Sequence, residues 1–255
     1  MLPYSVFYCY MIMTHLKRPK IIFFVLLWTP LLLLFSCATR IDGVIREGGA
    51  AELSIGSSLK PRTIAVVSSL RDFMGETTGG PILDGSAIAQ SIVNAPGVLA
   101  VSLVNTSPTA LDGNISISNV GDFLVAGDAE GRFITFTEGQ APGTSSIVIN
   151  LDRYSAPQLI SRLSSELAGY LSALMAPVIL GERMTRQQYI NLVAMIYGRA
   201  LADEISAARI QASVEFPRPL TAIRGGTAAG NRAEFDVPLL DLLVMEHPLR
   251  YEISW

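Results

Sequence analysis

Residues able to do chemistry are scarce in this chain, and their spacing does not bring them together. Past residue 36 there is one histidine, His247, followed by proline, and one cysteine, Cys37. A zinc site asks for three or four His, Cys or carboxylate ligands meeting at a point, and no such cluster is spelled out. A serine hydrolase would want His247 beside a serine on a strained turn, yet there is no Gly-x-Ser-x-Gly. The run Gly225-Gly226-Thr227-Ala228-Ala229-Gly230 has the glycines of a phosphate loop without the following Lys-Ser/Thr, so a hairpin turn explains it better. Asp203-Glu204 and the pair Asp128 and Glu130 lack metal-loop spacing and read as solvated faces. The expectation is a protein with no metal or cofactor that is not an enzyme, although a site assembled from distant residues would leave no such trace.

Cys37 is the one reactive residue whose neighbours suggest a use. Ahead of it lie Lys17, Arg18 and Lys20, then Ile21 to Phe35 without a charge. A basic n-region, an apolar h-region and a small residue before the cut make the order of a secretory signal over residues 1–36. A spanning helix needs about 18 or more apolar residues, and this run is shorter and holds Pro30. An uncleaved N-terminal helix in the inner membrane is the alternative, and either way the body is tethered. The first sixteen residues form an unusual prefix, whereas a start at Met11 or Met13 gives an ordinary n-region and leaves Cys9 without a role.

Leu34, Ser36 and Cys37 resemble the lipobox of bacterial lipoproteins, with Phe35 a looser residue of the kind found in spirochaete lipoproteins. The resemblance covers the leader alone. It implies that Cys37 is acylated, with palmitate-like chains, and becomes the first residue of the mature protein. It also implies a cell-envelope location on the periplasmic side. Ala38 and Thr39 follow, with no aspartate of the type that retains such proteins in the inner membrane, so the analogy favours the outer membrane. One chain would bind only marginally, at about 0.8 kcal/mol per methylene, whereas the two or three that the pattern implies hold firmly.

From Cys37 onward 219 residues remain, enough for one large domain or two small halves around a core. With its cysteine acylated the body has no disulfide and must hold by burial. Sixteen basic residues stand against twenty-two acidic ones, a formal charge of −6, and Lys60 is the only lysine. That balance, with no basic patch interleaved with aromatics, argues against nucleic acid or anionic lipid headgroups as the main partner. Apolar residues are abundant and charged ones sparse, so the surplus must be buried, line a cavity or meet a partner.

The elements that would position any site follow from the pattern. Residues 37–49 read as the acylated cysteine and a tether, and Glu52 to Ile55 alternate like a strand. Pro61 opens a helix through about Phe73, with Ile64, Val67 and Leu70 on one face. A weaker helix at 86–94, strands at 99–104 and 114–118, a short helix at 121–125 and a strand at 132–137 complete a first half, 50–139. The loop from Gly139 to Gly143 is the best boundary, and the second half is 143–255. There a strand, Ser146 to Leu151, precedes helices from Ser155 to Met175, Thr185 to Tyr197 and Arg199 to about Arg209. Thr185 caps and Gly198 stops the middle one. Strands at 211–216, 220–224 and 232–237, a short helix from Pro238 and a last strand, Leu249 to Trp255, close the chain.

A shift of 96 residues lays Leu53 on Ile149, Pro61 on Pro157 and Val67 on Leu163, and Asp122-Phe123-Leu124-Val125 finds a counterpart in Asp241-Leu242-Leu243-Val244. The fold class expected is α+β, an antiparallel sheet with helices packed on it, built from an internal duplication or from two strand-rich segments that share turn chemistry by chance.

The most apolar mature stretch, Leu171 to Leu180, is broken by Pro177 and too short to span a bilayer. It packs in the core or faces a lipid or partner. The functional expectation is a non-enzymatic binding module in which Leu171, Leu174, Met175, Ile179, Leu192 and Ile196 form an apolar groove for a lipid or apolar segment. The alternative is an envelope scaffold that uses the same surface for a protein partner.

Overall fold

A computed structural model describes residues 36–73, 81–128, 133–155 and 174–255. The first strand, β1 (Ser36–Ile45), turns back through Arg46 to Gly49 into β2 (Ala51–Leu59), which runs into helix α1 (Pro61–Phe73). Helix α2 (Gly85–Ile92) follows, held at its start by Asp84, whose carboxylate accepts from the Ser86 and Ala87 amides. Strands β3 (Val98–Ser107) and β4 (Ala110–Ile117) form a hairpin, and α3 (Val120–Gly127) leads to β5 (Ile134–Glu138) and β6 (Ser145–Leu151).

Next come α4 (Ala176–Ile179), α5 (Arg186–Tyr197) and α6 (Arg199–Ala207). The chain ends with β7 (Arg209–Glu215), β8 (Ala222–Arg224), β9 (Thr227–Ala229), β10 (Arg232–Pro238), α7 (Leu239–Val244) and β11 (Leu249–Ser254). The architecture is α+β, as the alternation of patterns implies. The helix expected after Pro157 lies outside the described residues.

Two sheets share the strands. The larger runs β3-β4-β2-β1-β7-β10-β9, antiparallel except where β1 lies parallel to β7; the smaller, β5-β6-β11-β8, is antiparallel throughout. One face of the larger sheet is apolar: Ile45, Ile55, Leu59, Leu111, Ile115 and Ile117 are buried there, in a core they share with Ile92, Phe133, Ile205 and Leu243. At roughly 1.5–3 kcal/mol per fully buried large side chain, this cluster is the main source of stability among the described residues, which hold a single cysteine.

Residues 37–49 do not form the expected tether. Thr39, Ile41, Gly43 and Ile45 turn inward and Arg40, Asp42 and Val44 outward, so the stretch is the fourth of seven strands. Its inward face reads as polar because threonine and glycine occupy two of the four positions. Thr39 is nonetheless buried, with its hydroxyl 3.3 Å from that of Ser57.

Both halves follow the same order of strand, helices, strands, short helix and strand, and the two Asp-led tetrapeptides fall in α3 and α7. The pairing is not repeated, since β4 lies beside β2 whereas β10 lies between β7 and β9. Nor are the halves separate bodies. Gly139 to Gly143 is the tip of a hairpin in which β5 pairs with β6, and β1 bridges β2 to β7.

Candidate functional site

The outward face of the larger sheet is mostly polar, with Val44 and Val104 exposed among its polar residues, and carries no covering element among the described residues. Alternation sends Gln211 and Ser213 outward from β7, Glu234 and Asp236 from β10, Ser54 from β2, and Asp112 and Asn114 from β4. Register then lines them up across strands. Asp112, Gly56, Arg40, Gln211 and Asp236 form one row, and Asn114, Ser54, Asp42, Ser213 and Glu234 the next.

Two depressions sit on this face, and both are bounded by Arg40 and Asp42. One, of about 570 Å³, opens over β7 and β10 toward Gly226 and Thr227; the other, of about 450 Å³, opens over β2 and β4 toward Asp112 and Asn114. Arg40 Nε donates to Asp42 Oδ2 at 2.6 Å and its terminal nitrogen to Oδ1 at 3.3 Å, so the ion pair stands as a ridge between them. The guanidinium is held further above its ordinary value by that hydrogen bond and by the aspartate's charge.

Elsewhere on the face Arg232 Nε donates to Ser213 Oγ at 2.7 Å and Arg209 lies 3.7 Å from Asp236. Six carboxylates, of Asp42, Glu52, Asp112, Glu215, Glu234 and Asp236, share the surface with the guanidiniums of Arg40, Arg46, Arg209 and Arg232. The field favours a neutral or cationic ligand rich in hydrogen-bonding groups over an anion.

The wall of the larger depression depends on a corner between the sheets. β8 belongs to the smaller sheet and β9 to the larger, so the chain crosses over at Gly225-Gly226. Gly225 takes φ +79°, and a Cβ there would meet the Tyr251 ring at 2.6 Å; a Cβ on Gly226 would meet the Glu234 carbonyl and the Phe235 ring at the same distance. This is why the run is rich in glycine, and it includes strand β9 as well as the expected turn.

A third cleft, of about 420 Å³, lies between Asp152-Arg153-Tyr154, Met184-Thr185 and Met245-Glu246. Close by, Arg186 pairs with Asp241 at 2.7 Å, and its amide donates to Glu246 at 3.1 Å. Burial raises the Asp241 carboxyl above its ordinary value, against the pull of Arg186 and Arg209. His247 is exposed and lines none of these three clefts. Among the described residues no group of three or more His, Cys, Asp or Glu could hold a metal, and no helix is long and apolar enough to cross a membrane.

The residues expected to form an apolar groove are divided. Met175 is buried in the core and Leu174 packs against it; Leu192 is half-buried; Ile179 and Ile196 are exposed; Leu171 lies outside the described residues. Two apolar runs reach the surface, Ile179 and Leu180 at the end of α4 and, at the end of α5, Met195 78%, Ile196 60% and Tyr197 40% exposed.

The acidic pairs read as solvated faces are more engaged than that. Asp128 is buried, and its Oδ2 accepts from the Phe133 and Ile134 amides at 2.5 and 2.8 Å. Glu204 accepts from the Arg62 and Thr63 amides at 3.1 and 2.9 Å, whereas Asp203 pairs with Arg199 on the surface. None of the open-face residues stands out in the sequence, because each is an ordinary polar residue that acquires neighbours only through strand register. The alternation along Arg232 to Val237 is the one trace.

No protein-family model matches this chain, and no curated protein matches it. Among solved structures, the folded domain of the LppM protein of Mycobacterium tuberculosis, determined by NMR, is similar with a TM-score of 0.36. That likeness spans 85% of this chain and 87% of the other at 12% identity.

Proposed function

We propose that this is an acylated bacterial envelope lipoprotein, tied to a membrane through Cys37, whose body binds a polar partner across the open face of its seven-stranded sheet. The reading is of binding rather than catalysis. The observation that carries it is the pair of depressions on either side of Arg40 and Asp42, set among the polar side chains of two strand-to-strand rows. Antiparallel sheets commonly leave one face to water. Here that face is hollowed on both sides of β1, with the carboxylate of Asp112 in the row of Arg40 and that of Glu234 in the row of Asp42. The lipobox-like leader supplies the anchor and the envelope location, with the outer membrane favoured by the absence of aspartate after the cysteine.

A second reading rests on Met195, Ile196 and Tyr197, three consecutive exposed apolar residues that suit a scaffold docking an apolar partner segment or lipid. A photo-crosslinking residue at Gln211 or at Met195, in intact cells, separates the two. Cross-linking to one defined neighbour from Gln211 alone supports the sheet face. A defined product from Met195 alone replaces that reading with the scaffold. Anchoring has its own test. The protein enters the detergent phase of a cloud-point separation, whereas residues 37–255 made without the leader and with Cys37→Ser do not; partition of the unaltered protein into water would remove the anchor.

A further inference from the structure

We infer that the body stands directly on the bilayer, with the end of the larger sheet that carries Cys37 against the headgroups and the strands rising away from it. The inference rests on the acylated-cysteine reading above and says how that anchor orients the protein. Ser36 is already opposite Leu59, and Ala38 is paired with Ser58 on one side and Arg209 on the other. Cys37 therefore falls at the register shift that opens β1, and no slack chain separates an acyl group on it from the sheet. A lipoprotein with a tether can turn freely; this one is held at the root of the middle strand of seven.

The same end of the sheet gathers the only lysine of the mature chain. Lys60 and Arg62 are exposed where β2 gives way to α1, and Arg209 begins β7 beside Ala38. Glu204 is engaged by the first amides of α1, and Arg209 lies 3.7 Å from Asp236. At the far end, the turn after β1 and the strand ends beside it carry Glu47, Glu52 and Glu215, with Arg46 3.5 Å from Glu52 and Arg232 opposite Glu215. In this pose the exposed Lys60 and Arg62 meet the headgroups. Ten residues of β1 set the far turn about 30 Å above the near end at roughly 3.3 Å per residue. The depressions then open sideways, reachable by a partner beside the membrane.

The test uses acylated protein purified from membranes with one cysteine added, as Pro108→Cys at the tip of the β3–β4 hairpin or Glu47→Cys at the far turn. Each is labelled with an environment-sensitive fluorophore and placed in vesicles of phosphatidylethanolamine and phosphatidylglycerol carrying a headgroup-linked nitroxide. Quenching several-fold stronger at position 108 than at 47 is expected. Equal quenching, or the reverse order, in protein whose mass shows acyl chains on Cys37 overturns the orientation and leaves the anchor standing. An unmodified mass, with the Cys37 thiol itself taking the label, overturns both.

Discussion

At the scale of single residues, the strongest functional groups act on partners far away in the chain. Glu204 closes the first turn of α1 from 142 residues downstream, its carboxylate meeting two amides and the Thr63 hydroxyl. A negative group at a helix N-terminus satisfies donors the helix cannot and complements its dipole. Glu204→Ala should lower unfolding free energy by about 1–2 kcal/mol, read as a lower denaturant midpoint with an unchanged slope. Asp203→Ala, which breaks only an exposed pair, should stay within about 0.5 kcal/mol. The sequence shows these two acids as neighbours of one kind, because it records adjacency along the chain and not which of the two faces the core.

Tyr251 gives a pH dependence at the same scale. Burial, and then the charge of Asp241, push its phenol up to about 12 from an ordinary 10. The folded state therefore holds this proton more tightly than the unfolded chain. Its contribution is whole below pH 10 and is lost as pH rises from 10 to about 12. Tyr251→Phe should flatten part of that loss in alkaline unfolding, and tyrosinate absorbance should appear late in the unaltered protein. Tyr189, raised in the same direction by burial, carries part of the remainder.

At the scale of elements, legibility followed cap chemistry. Helix α5 begins at Thr185 because Thr185 and Gln188 form a reciprocal capping box, and it stops at Gly198, which takes φ +90°. Both ends can be read from residue types alone. β1 could not be read, since Thr39 and Gly43 on its inward face hide the apolar half of the alternation. The last strand was legible from Tyr251, Ile253 and Trp255, and its place explains why the chain end is ordered. β11 lies between β6 and β8, Trp255 exchanges backbone hydrogen bonds with Ser145, and its ring lies 4.7 Å from that of Phe216. Removing Ile253 to Trp255 discards two buried side chains, about 3–6 kcal/mol of burial against a usual total of roughly 5–15. The truncated protein should melt far below the full chain or be degraded in the cell; equal melting temperatures would show that the end of β11 is dispensable.

At the scale of the whole molecule, the repeat in the sequence does not divide the protein. Each half lacks something that the other supplies. The edge strand β5 finds its one neighbour in β6, and β2 meets β7 only through β1. The α1 cap comes from α6. A boundary at Gly139 to Gly143 looks like a linker by composition, yet it is a hairpin whose two strands belong to different halves. Buried residues from both halves meet in one cluster, so losing either half exposes the apolar face of the other. The physical consequence is cooperative unfolding. Calorimetry on the complete body should give one transition whose calorimetric and van't Hoff enthalpies agree. Residues 37–139, which include β1, and 143–255 expressed apart should each lack dispersed amide resonances, and mixing them should restore the spectrum, because the missing strand partners and helix cap then return together. Two separate transitions, or a folded first half alone, would mean that the shared sheets contribute little and that each half holds by its own core.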